Sequence, residues 1–380
     1  MTPERPRRAD ATEAQVETPT VVSRADEPSA LYRPGSAPLY AALDLGTNSC
    51  RMLIAQPQGS QFAVVDSFSK SVQLGVGLEA SGRLSRASMG RTIQALRICE
   101  KKIEKHGVRR MRLVATEACR RARNARDFIR QVRRETGLAL EIIAPEEEAR
   151  LAVISCAPLV NPSTEQLLVV DIGGGSTELV WIDLSSVPPA DRPRAIMRLH
   201  MGFNAQGEGA VARVVDWISV PLGVATLKDQ FGDVDDDSAR FALMSWFFEE
   251  NLASFSPYNA DNPREGFQII GTSGTVTTVA ASFLNLKRYD RTKVDGLQMT
   301  SDQIDLVIRE YLALGPEGRR TDPRIGRDRH ALIMSGAAIL QALMRIWPTD
   351  RLSVADRGLR EGLLYAQMSA DGVLEDGPYT

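Results

Sequence analysis

DLGTNSCRMLI, at residues 44–54, returns in altered form as DIGGGSTELVW at residues 171–181, and this repeat decides the fold of the chain. In each copy an apolar strand delivers an Asp into a turn rich in Gly, Ser and Thr, and a second apolar strand leaves the turn. Asp, Gly and Ser recur at matching offsets, 127 residues apart. Such a repeat predicts two related domains that face each other, the alternative being a chance resemblance of two hairpin turns.

Around the repeat, apolar strands alternate with amphipathic helices. The longest of the helices is expected over residues 86–106, where apolar residues recur every three or four positions between Ser85 and Gly107. Further strands are expected at 61–68, 112–116, 140–144, 166–173 and 267–271, and further helices at 124–135, 146–156, 237–255, 334–347 and 358–368. The stretch GTSGTVTT at 271–278 is expected to form a third turn. This alternation predicts an α/β fold with a largely parallel sheet.

Length and composition limit the number of domains and the classes of partner that the chain can have. Its 380 residues are 43% hydrophobic, which is enough for two domains with separate cores. A formal charge of −2 does not favour a nucleic-acid-binding protein. We expect a disordered tail at residues 1–36, a first domain at 37–151 and a second at 152–380. Four dispersed cysteines and no long apolar run indicate a cytoplasmic protein with reduced thiols and no membrane partner.

The two turns have the composition of phosphate-binding loops. A turn dense in Gly, Ser and Thr can aim successive backbone N–H groups at one point, which suits phosphate oxygens. The Asp that begins each turn, Asp44 or Asp171, can position a hydrated Mg²⁺ beside those phosphates. Neither turn is a Walker A loop or a Rossmann GxGxxG motif. The alternative is a pair of ordinary tight hairpins.

Together with residues 271–275, these turns resemble those of the actin, sugar kinase and heat-shock chaperone ATPase superfamily. More narrowly, the sequence resembles the exopolyphosphatase and guanosine pentaphosphate phosphohydrolase family. The matching residues are DLGTNSCRML at 44–53; Ala115, Thr116, Ala118, Arg120, Ala122 and Asn124; EEARL at 147–151; DIGGGSTEL at 171–179; SGT at 273–275; and LREGLLY at 359–365. The resemblance implies two ribonuclease-H-like domains that face each other across a phosphate-binding cleft.

The resemblance also assigns roles to residues. Glu148 falls on the family's catalytic base, while Asp44, Asp171 and Glu178 fall on carboxylates near phosphate and metal. Substrate contacts are expected from Gly46, Thr47, Asn48, Ser49, Arg51, Arg120, Gly173, Gly174, Gly175, Ser176 and Thr177. The alternative for the acidic run at 146–148 is that it merely complements the dipole at a helix N-terminus.

Three departures from the family pattern stand out. Ala144 and Pro145 replace a common Ser-Gly pair before the acidic run, which stiffens the entry to the helix. The segment between residues 181 and 221 is longer than in compact members, and an added hairpin or loop is expected there. The three His residues form no HD pair, so we expect the two-domain core alone, without a C-terminal HD-type domain and with its last helix packing back on the first domain.

Residues 91–134 contain 15 Lys or Arg against four Asp or Glu. Such an excess would attract a polyanion, and we expect outlying members such as Arg109, Arg110, Arg133 and Arg134 to extend the cleft for a long chain. The alternative is that these side chains are the solvated outer faces of two amphipathic helices.

The leading functional hypothesis from the resemblance is an exopolyphosphatase that needs Mg²⁺ or another divalent cation. It would remove terminal phosphate from inorganic polyphosphate processively, with a water activated by Glu148. The alternative is a guanosine pentaphosphate 5′-phosphohydrolase. A non-hydrolytic polyphosphate or nucleotide sensor and a superfamily kinase are further hypotheses; Glu148 argues against the sensor, and EEARL followed by DIGGGSTEL against the kinase. No nucleic-acid partner is expected, and a homodimer is left open.

Overall fold

Two β-sheets organise the chain, and each contains one copy of the repeat. The structure is a computed structural model that describes residues 38–203, 211–259, 265–326 and 329–374. The tail expected at residues 1–36 lies outside the described residues.

The first sheet has five strands in the order β3-β2-β1-β4-β5. They are β1 (Tyr40–Leu45), β2 (Ser49–Gln58), β3 (Gln61–Ser71), β4 (Arg110–Ala115) and β5 (Glu141–Ile142). Strands β1, β2 and β3 form an antiparallel meander, while β4 joins β1 in parallel and β5 joins β4 in parallel.

The second sheet repeats this arrangement in the order β8-β7-β6-β9-β11-β10. Its strands are β6 (Gln166–Ile172), β7 (Thr177–Asp183), β8 (Arg213–Val220), β9 (Phe267–Thr272), β10 (Gln298–Met299) and β11 (Leu352–Ala355). Strands β6, β7 and β8 form the antiparallel meander, and β9 and β11 add in parallel. The α/β fold class with two ribonuclease-H-like domains is therefore confirmed. A largely parallel sheet is wrong, because each repeat hairpin contributes antiparallel pairs.

Thirteen α-helices connect or cover the sheets within the described residues. They are α1 (Leu78–Ser81), α2 (Arg86–Lys105), α3 (Glu117–Arg121), α4 (Ala125–Thr136), α5 (Pro145–Cys156), α6 (Arg192–Arg198), α7 (Val224–Gln230), α8 (Asp237–Glu250), α9 (Ser273–Phe283), α10 (Arg291–Val294), α11 (Ser301–Thr321), α12 (Ile333–Ile346) and α13 (Leu359–Ala370). The predicted cap of α2 is present, since the side chain of Ser85 accepts from the N–H of Ser88 at 3.1 Å.

Two local expectations need correction. The stretch at 271–278 is the end of β9 and the start of α9, because Ser273 turns the chain with a φ of 82° and the helix starts directly. Buried apolar residues at helical spacing, among them Val276 and Ala280, then continue the helix. Between residues 181 and 221 the described residues include the short helix α6, which was not expected, while residues 204–210, where part of the expected hairpin or loop would fall, lie outside them.

A shared core joins the two sheets. It contains Ala42 of β1, Val169 of β6 and Leu363 of α13, all fully buried or nearly so. Helices α5 and α13 pack side by side, and α13 also packs against β1 and β2. The predicted domain boundary after residue 151 lies inside α5. Each fully buried Leu or Val contributes about 2 kcal/mol, so this core holds the cleft-forming sheets in place.

We predict that Gly362→Ala destabilises the protein by about 2 kcal/mol, because a Cβ at Gly362 would overlap the carbonyl of Leu151 where α13 meets α5. Gly90→Ala is the matched control, since a Cβ there on α2 meets nothing within 4 Å and should stabilise the helix by up to about 1 kcal/mol. Urea unfolding measures both. Equal stabilities of the two variants would contradict the close approach of α5 and α13.

Candidate functional site

The two copies of the repeat form turns with the same backbone hydrogen bond. In the first turn the N–H of Gly46 donates to the carbonyl of Ser49 at 2.9 Å. In the second turn the N–H of Gly173 donates to the carbonyl of Ser176, also at 2.9 Å. The repeat in the sequence is therefore a repeat of backbone geometry, and both turns line one cleft.

The turns touch each other because the second turn carries no side chains where they meet. A Cβ at Gly174 would lie 3.3 Å from the backbone nitrogen of Asn48, and one at Gly175 would lie 2.5 Å from Thr47 Oγ1. Behind the second turn, a Cβ at Gly223 would lie 2.5 Å from the carbonyl carbon of Gly174. Glycine is needed at these positions for the two domains to approach this closely.

The cleft has a volume of about 230 Å³. The predicted site residues in its wall are Asp44, Gly46, Thr47, Asn48, Ser49, Arg51, Asp171, Gly173, Gly174, Gly175 and Ser176. The remaining predicted residues, Glu148, Arg120, Thr177 and Glu178, lie outside the wall. Most of the predicted phosphate contacts therefore converge on the cleft, while these four residues lie outside its wall.

Thr177 and Glu178 lie at the start of β7. The hydroxyl of Thr177 is buried and donates to the carbonyl of Leu222 at 2.8 Å, which fixes the segment before α7. Glu178 accepts a hydrogen bond from Ser219 Oγ at 2.8 Å and lies opposite Asp171 in the β6–β7 pair. Thr177 thus supports the turn from behind, and Glu178 brings a second carboxylate beside Asp171.

Asp44 and Asp171 are half-buried where β1 and β6 approach the turns. Burial raises the pKa of Asp44, and the neighbouring Arg51, which lies opposite it in the β1–β2 pair, opposes that rise. Burial also raises the pKa of Asp171 to about 6; a hydrogen bond with Ser273 lowers it, and the charge of Asp44 adds to the rise. The two carboxylates therefore share one electrostatic environment across the cleft.

Glu148 and Glu178 belong to the same environment. Burial, followed by the charge of Asp171, raises the pKa of Glu178 to about 7. Burial and then the charge of Glu178 raise the pKa of Glu148 well above its ordinary value, and Arg120 acts in the opposite direction. Arg120 Nη1 donates to Glu148 Oε2 at 2.6 Å. Glu148 is therefore a buried, ion-paired carboxylate coupled to the carboxylates of the second turn.

The start of α5 explains how Glu148 comes to be buried. Pro145 is the first residue of the helix, where its missing N–H costs no hydrogen bond, and Ala144 before it is extended. Glu146 is exposed, whereas Glu147 accepts from Arg112 Nη1 at 2.8 Å and Glu148 faces Arg120. A favourable interaction with the helix dipole accounts for the exposed Glu146. It does not account for the burial and ion pairing of Glu148.

Two polar atoms near the turns have no protein partner. Thr47 Oγ1 and Arg51 Nε are buried without a hydrogen bond among the described residues. Because buried polar groups are nearly always hydrogen-bonded, both atoms are suited to a ligand with acceptor oxygens. A phosphate group supplies such oxygens to both.

Several residues in the wall were not predicted. Ser69 and Ser71 at the end of β3, Glu117 on α3, Ser273–Thr275 at the start of α9 and Arg329 before α12 all line the cleft. Glu117 lies within the ATEACRRARN stretch that carries the family resemblance, yet nothing in its spacing indicated a role. Arg329 donates to the carbonyl of Gly274 at 3.1 Å, a contact between segments 55 residues apart that no local pattern indicates.

The basic stretch at 91–134 does not continue the cleft at Arg109 and Arg110. These residues lie at the start of β4, whereas Thr116, directly after the end of β4, lines the cleft. A strand of this length separates its ends by roughly 17–20 Å. Arg109 and Arg110 therefore fit the alternative of solvated surface side chains better than an extension of the site.

Two negative findings apply to the residues that the structure describes. No helix among them is long and apolar enough to cross a membrane. They also contain no group of three or more His, Cys, Asp or Glu side chains arranged to hold a metal ion.

Comparisons with known proteins agree with this geometry. A sequence model of the Ppx/GppA phosphatase family matches residues 53–371. Among curated proteins, a guanosine-5′-triphosphate,3′-diphosphate pyrophosphatase of Aeromonas salmonicida is 29% identical over 331 residues, or 87% of this chain. The chain spans 59% of the length of that relative.

Solved structures give the same result. The Ppx/GppA family member of Aquifex aeolicus is 30% identical, with a TM-score of 0.68 over 88% of this chain and 98% of its own. An exopolyphosphatase from Cytophaga hutchinsonii is 21% identical, with a TM-score of 0.73 over 88% of this chain and 98% of its own. The second similarity supports the fold alone.

We predict that Asp171→Asn stabilises the protein more at pH 8 than at pH 5 when divalent cations are chelated. With a folded-state pKa of about 6 against about 3.9 when unfolded, Asp171 keeps a proton in the folded state that the unfolded chain releases. The wild-type protein therefore loses stability as the pH rises through this interval, whereas Asn does not titrate. The expected extra gain is about 1 kcal/mol between pH 5 and pH 8.

Thermal and urea unfolding at both pH values measure this difference. Asp350→Asn is the control, because that side chain is 80% exposed. An equal effect of Asp171→Asn at pH 5 and pH 8 would show that burial does not raise the pKa of Asp171.

Proposed function

Because the chain belongs to the Ppx/GppA phosphatase family, we propose that it hydrolyses a terminal phosphoanhydride bond in the cleft between the two turns. The observation that carries the proposal is the contact of two turns with matching hydrogen bonds beside unpartnered Thr47 Oγ1 and Arg51 Nε. Backbone N–H groups and a guanidinium are the groups that stabilise charge on phosphate oxygens.

Glu148 is the proposed base. The water oxygen forms a bond to the terminal phosphorus as the bond to the bridging oxygen breaks, and the leaving oxygen keeps the electron pair. One proton of the water passes to Glu148. Arg120 holds Oε2 of Glu148, so we assign Oε1 to the water. Burial strengthens Glu148 as a proton acceptor because it raises the pKa of the carboxyl group.

Mg²⁺ is the proposed cofactor, and the donor set fits it. Asp44 and Asp171 are half-buried carboxylates in the wall of the cleft, and the charge of Arg51 acts on both. Mg²⁺ takes oxygen ligands and is usually held by one or two carboxylates together with phosphate oxygens and water. When bound, it would neutralise charge on the phosphate chain. Either Asp can act directly or through a water of the ion.

Guanosine pentaphosphate is the substrate that the comparisons favour. The similar protein of Aeromonas salmonicida carries the name of a guanosine-5′-triphosphate,3′-diphosphate pyrophosphatase and matches 87% of this chain. Inorganic polyphosphate is the second candidate, because the turns, Thr47 and Arg51 all suit phosphate and none of them requires a guanine base.

We predict faster phosphate release from guanosine pentaphosphate than from long polyphosphate or ATP at equal concentrations of terminal phosphate. Glu148→Gln should lower kcat by roughly 10²- to 10⁴-fold, since the amide cannot accept the proton. Glu146→Gln is the matched control, being exposed on the same helical turn. Faster release from polyphosphate would reverse the order of substrates, and no release from any of the three would reject the hydrolase.

We also predict that a chelator abolishes phosphate release and that added Mg²⁺ restores it. Mg²⁺ alone should raise the melting temperature more at pH 8 than at pH 5, because protons compete for the buried carboxylates below their raised pKa values. Differential scanning calorimetry with and without Mg²⁺ checks this independently of turnover. Full activity in excess chelator is the result that excludes the metal.

A further inference from the structure

Glu117 is a carboxylate of the cleft that has no role in the reaction proposed above. It begins α3, one residue after the end of β4, and is only 8% exposed. Besides the main cleft it lines a second cavity of about 10 Å³, which holds at most a single water. A buried carboxylate at this junction needs a partner; Glu117 is hydrogen-bonded to Arg120, and Arg121 lies farther away, at 3.8 Å from Glu117 Oε1.

Arg120 bridges two carboxylates. Its Nε and Nη2 donate to Glu117 Oε2 at 3.0 and 2.8 Å. Its Nη1 donates to Glu148 Oε2 at 2.6 Å and to the carbonyl of Ile143 at 3.1 Å. A guanidinium has five N–H bonds, and these contacts engage four of them. Arg120 therefore has little capacity left for the substrate phosphate that the sequence assigned to it.

The local structure explains why the bridge is rigid. Glu117 and Arg120 are three residues apart on α3 and so lie on the same face of the helix. The planar guanidinium makes the direction of Nη1 depend on where Nε and Nη2 are held. With Glu117 holding one edge of the plane, the opposite edge is fixed toward Glu148 on α5.

The second turn supports Glu117 from the other domain. A Cβ at Gly175 would lie 3.0 Å from Glu117 Cγ, so the absence of a side chain at this glycine lets the turn pack directly on Glu117. The orientation of the bridge consequently depends on the same contact between the domains that closes the cleft around the turns.

We propose that Glu117 is a positioning residue for the reaction, and that it holds Arg120 so that Arg120 orients Glu148 toward the attacking water. This inference rests on the proposed role of Glu148 as the base. It predicts that the effect of Glu117 appears in turnover and not in substrate affinity, because the bridge touches the base and not the phosphate chain.

The test is steady-state kinetics of Glu117→Gln with the substrate that the wild-type protein hydrolyses fastest. Gln has the shape of Glu but lacks its charge, so Arg120 should be held less firmly. We expect kcat to fall about 10-fold while KM changes less than threefold. Arg120→Lys should cause a similar fall, because an ammonium cannot bridge both carboxylates, and the double variant should be no worse than either single variant.

Asp127→Asn is the matched control. Asp127 lies exposed on α4 and pairs with Arg130, so this variant removes an equal charge from the same domain without touching the bridge. It should keep wild-type kcat and KM. A rise in KM with unchanged kcat for Glu117→Gln would overturn the proposal in favour of direct substrate binding, and additive effects of Glu117→Gln and Arg120→Lys would show that the two residues act independently.

A second measurement separates this proposal from the proposed function. If the wild-type protein hydrolyses no phosphoanhydride, the function fails, and a double-mutant cycle of Glu117→Gln and Glu148→Gln in urea unfolding still tests the bridge. The two substitutions should be non-additive in midpoint urea concentration, because both act on Arg120. Additive shifts would contradict the proposal that Arg120 couples the two glutamates, whichever substrate the protein hydrolyses.

Discussion

Burial of several carboxyl groups in one place is the constraint on which the site depends. The four groups are Asp44, Asp171, Glu148 and Glu178. Like charges in a low-dielectric interior repel each other strongly and favour protonation. Arg51, Arg120 and Arg360 offset part of this charge, yet the pKa of each of the four groups stays above its ordinary value. The fold therefore maintains a site that favours the binding of a cation or of protons.

The architecture makes this burial unavoidable. In each ribonuclease-H-like sheet a central strand, β1 or β6, ends at a turn. The shared core, which includes α5 and α13, holds the two turns in contact. Because the turns meet through Gly174 and Gly175, the two domains come into direct contact beside a cleft of about 230 Å³. The same glycines allow backbone N–H groups to approach a phosphate and bring the carboxylates of both turns close together.

Local sequence patterns account for the parts of the site that one turn can specify. The repeat predicted both hairpins, because Asp, Gly and Ser at fixed offsets determine a turn within a few residues. Residues whose role depends on distant elements were not predicted. The role of Glu117 follows from its contacts with Arg120 and with Gly175 of the other domain, and the role of Arg329 follows from its contact with α9. The helix α9 was also missed, because Gly, Ser and Thr favour turns locally while burial of Val276 and Ala280 favours a helix.

Arg120 illustrates what a sequence motif leaves undetermined. The family resemblance assigned this arginine to the substrate phosphate, whereas the structure pairs it with Glu117 and Glu148. A guanidinium between two buried carboxylates lowers the free energy of both ionised forms, and it cannot lose its own proton at any ordinary pH. Such a residue favours the ionised form of the adjoining base, against the burial that raises the pKa of Glu148, and it orients the carboxylate. Two arginines thus have separate tasks: Arg51 opposes the charge of Asp44 and Asp171 at the turns, and Arg120 orients Glu148 on α5.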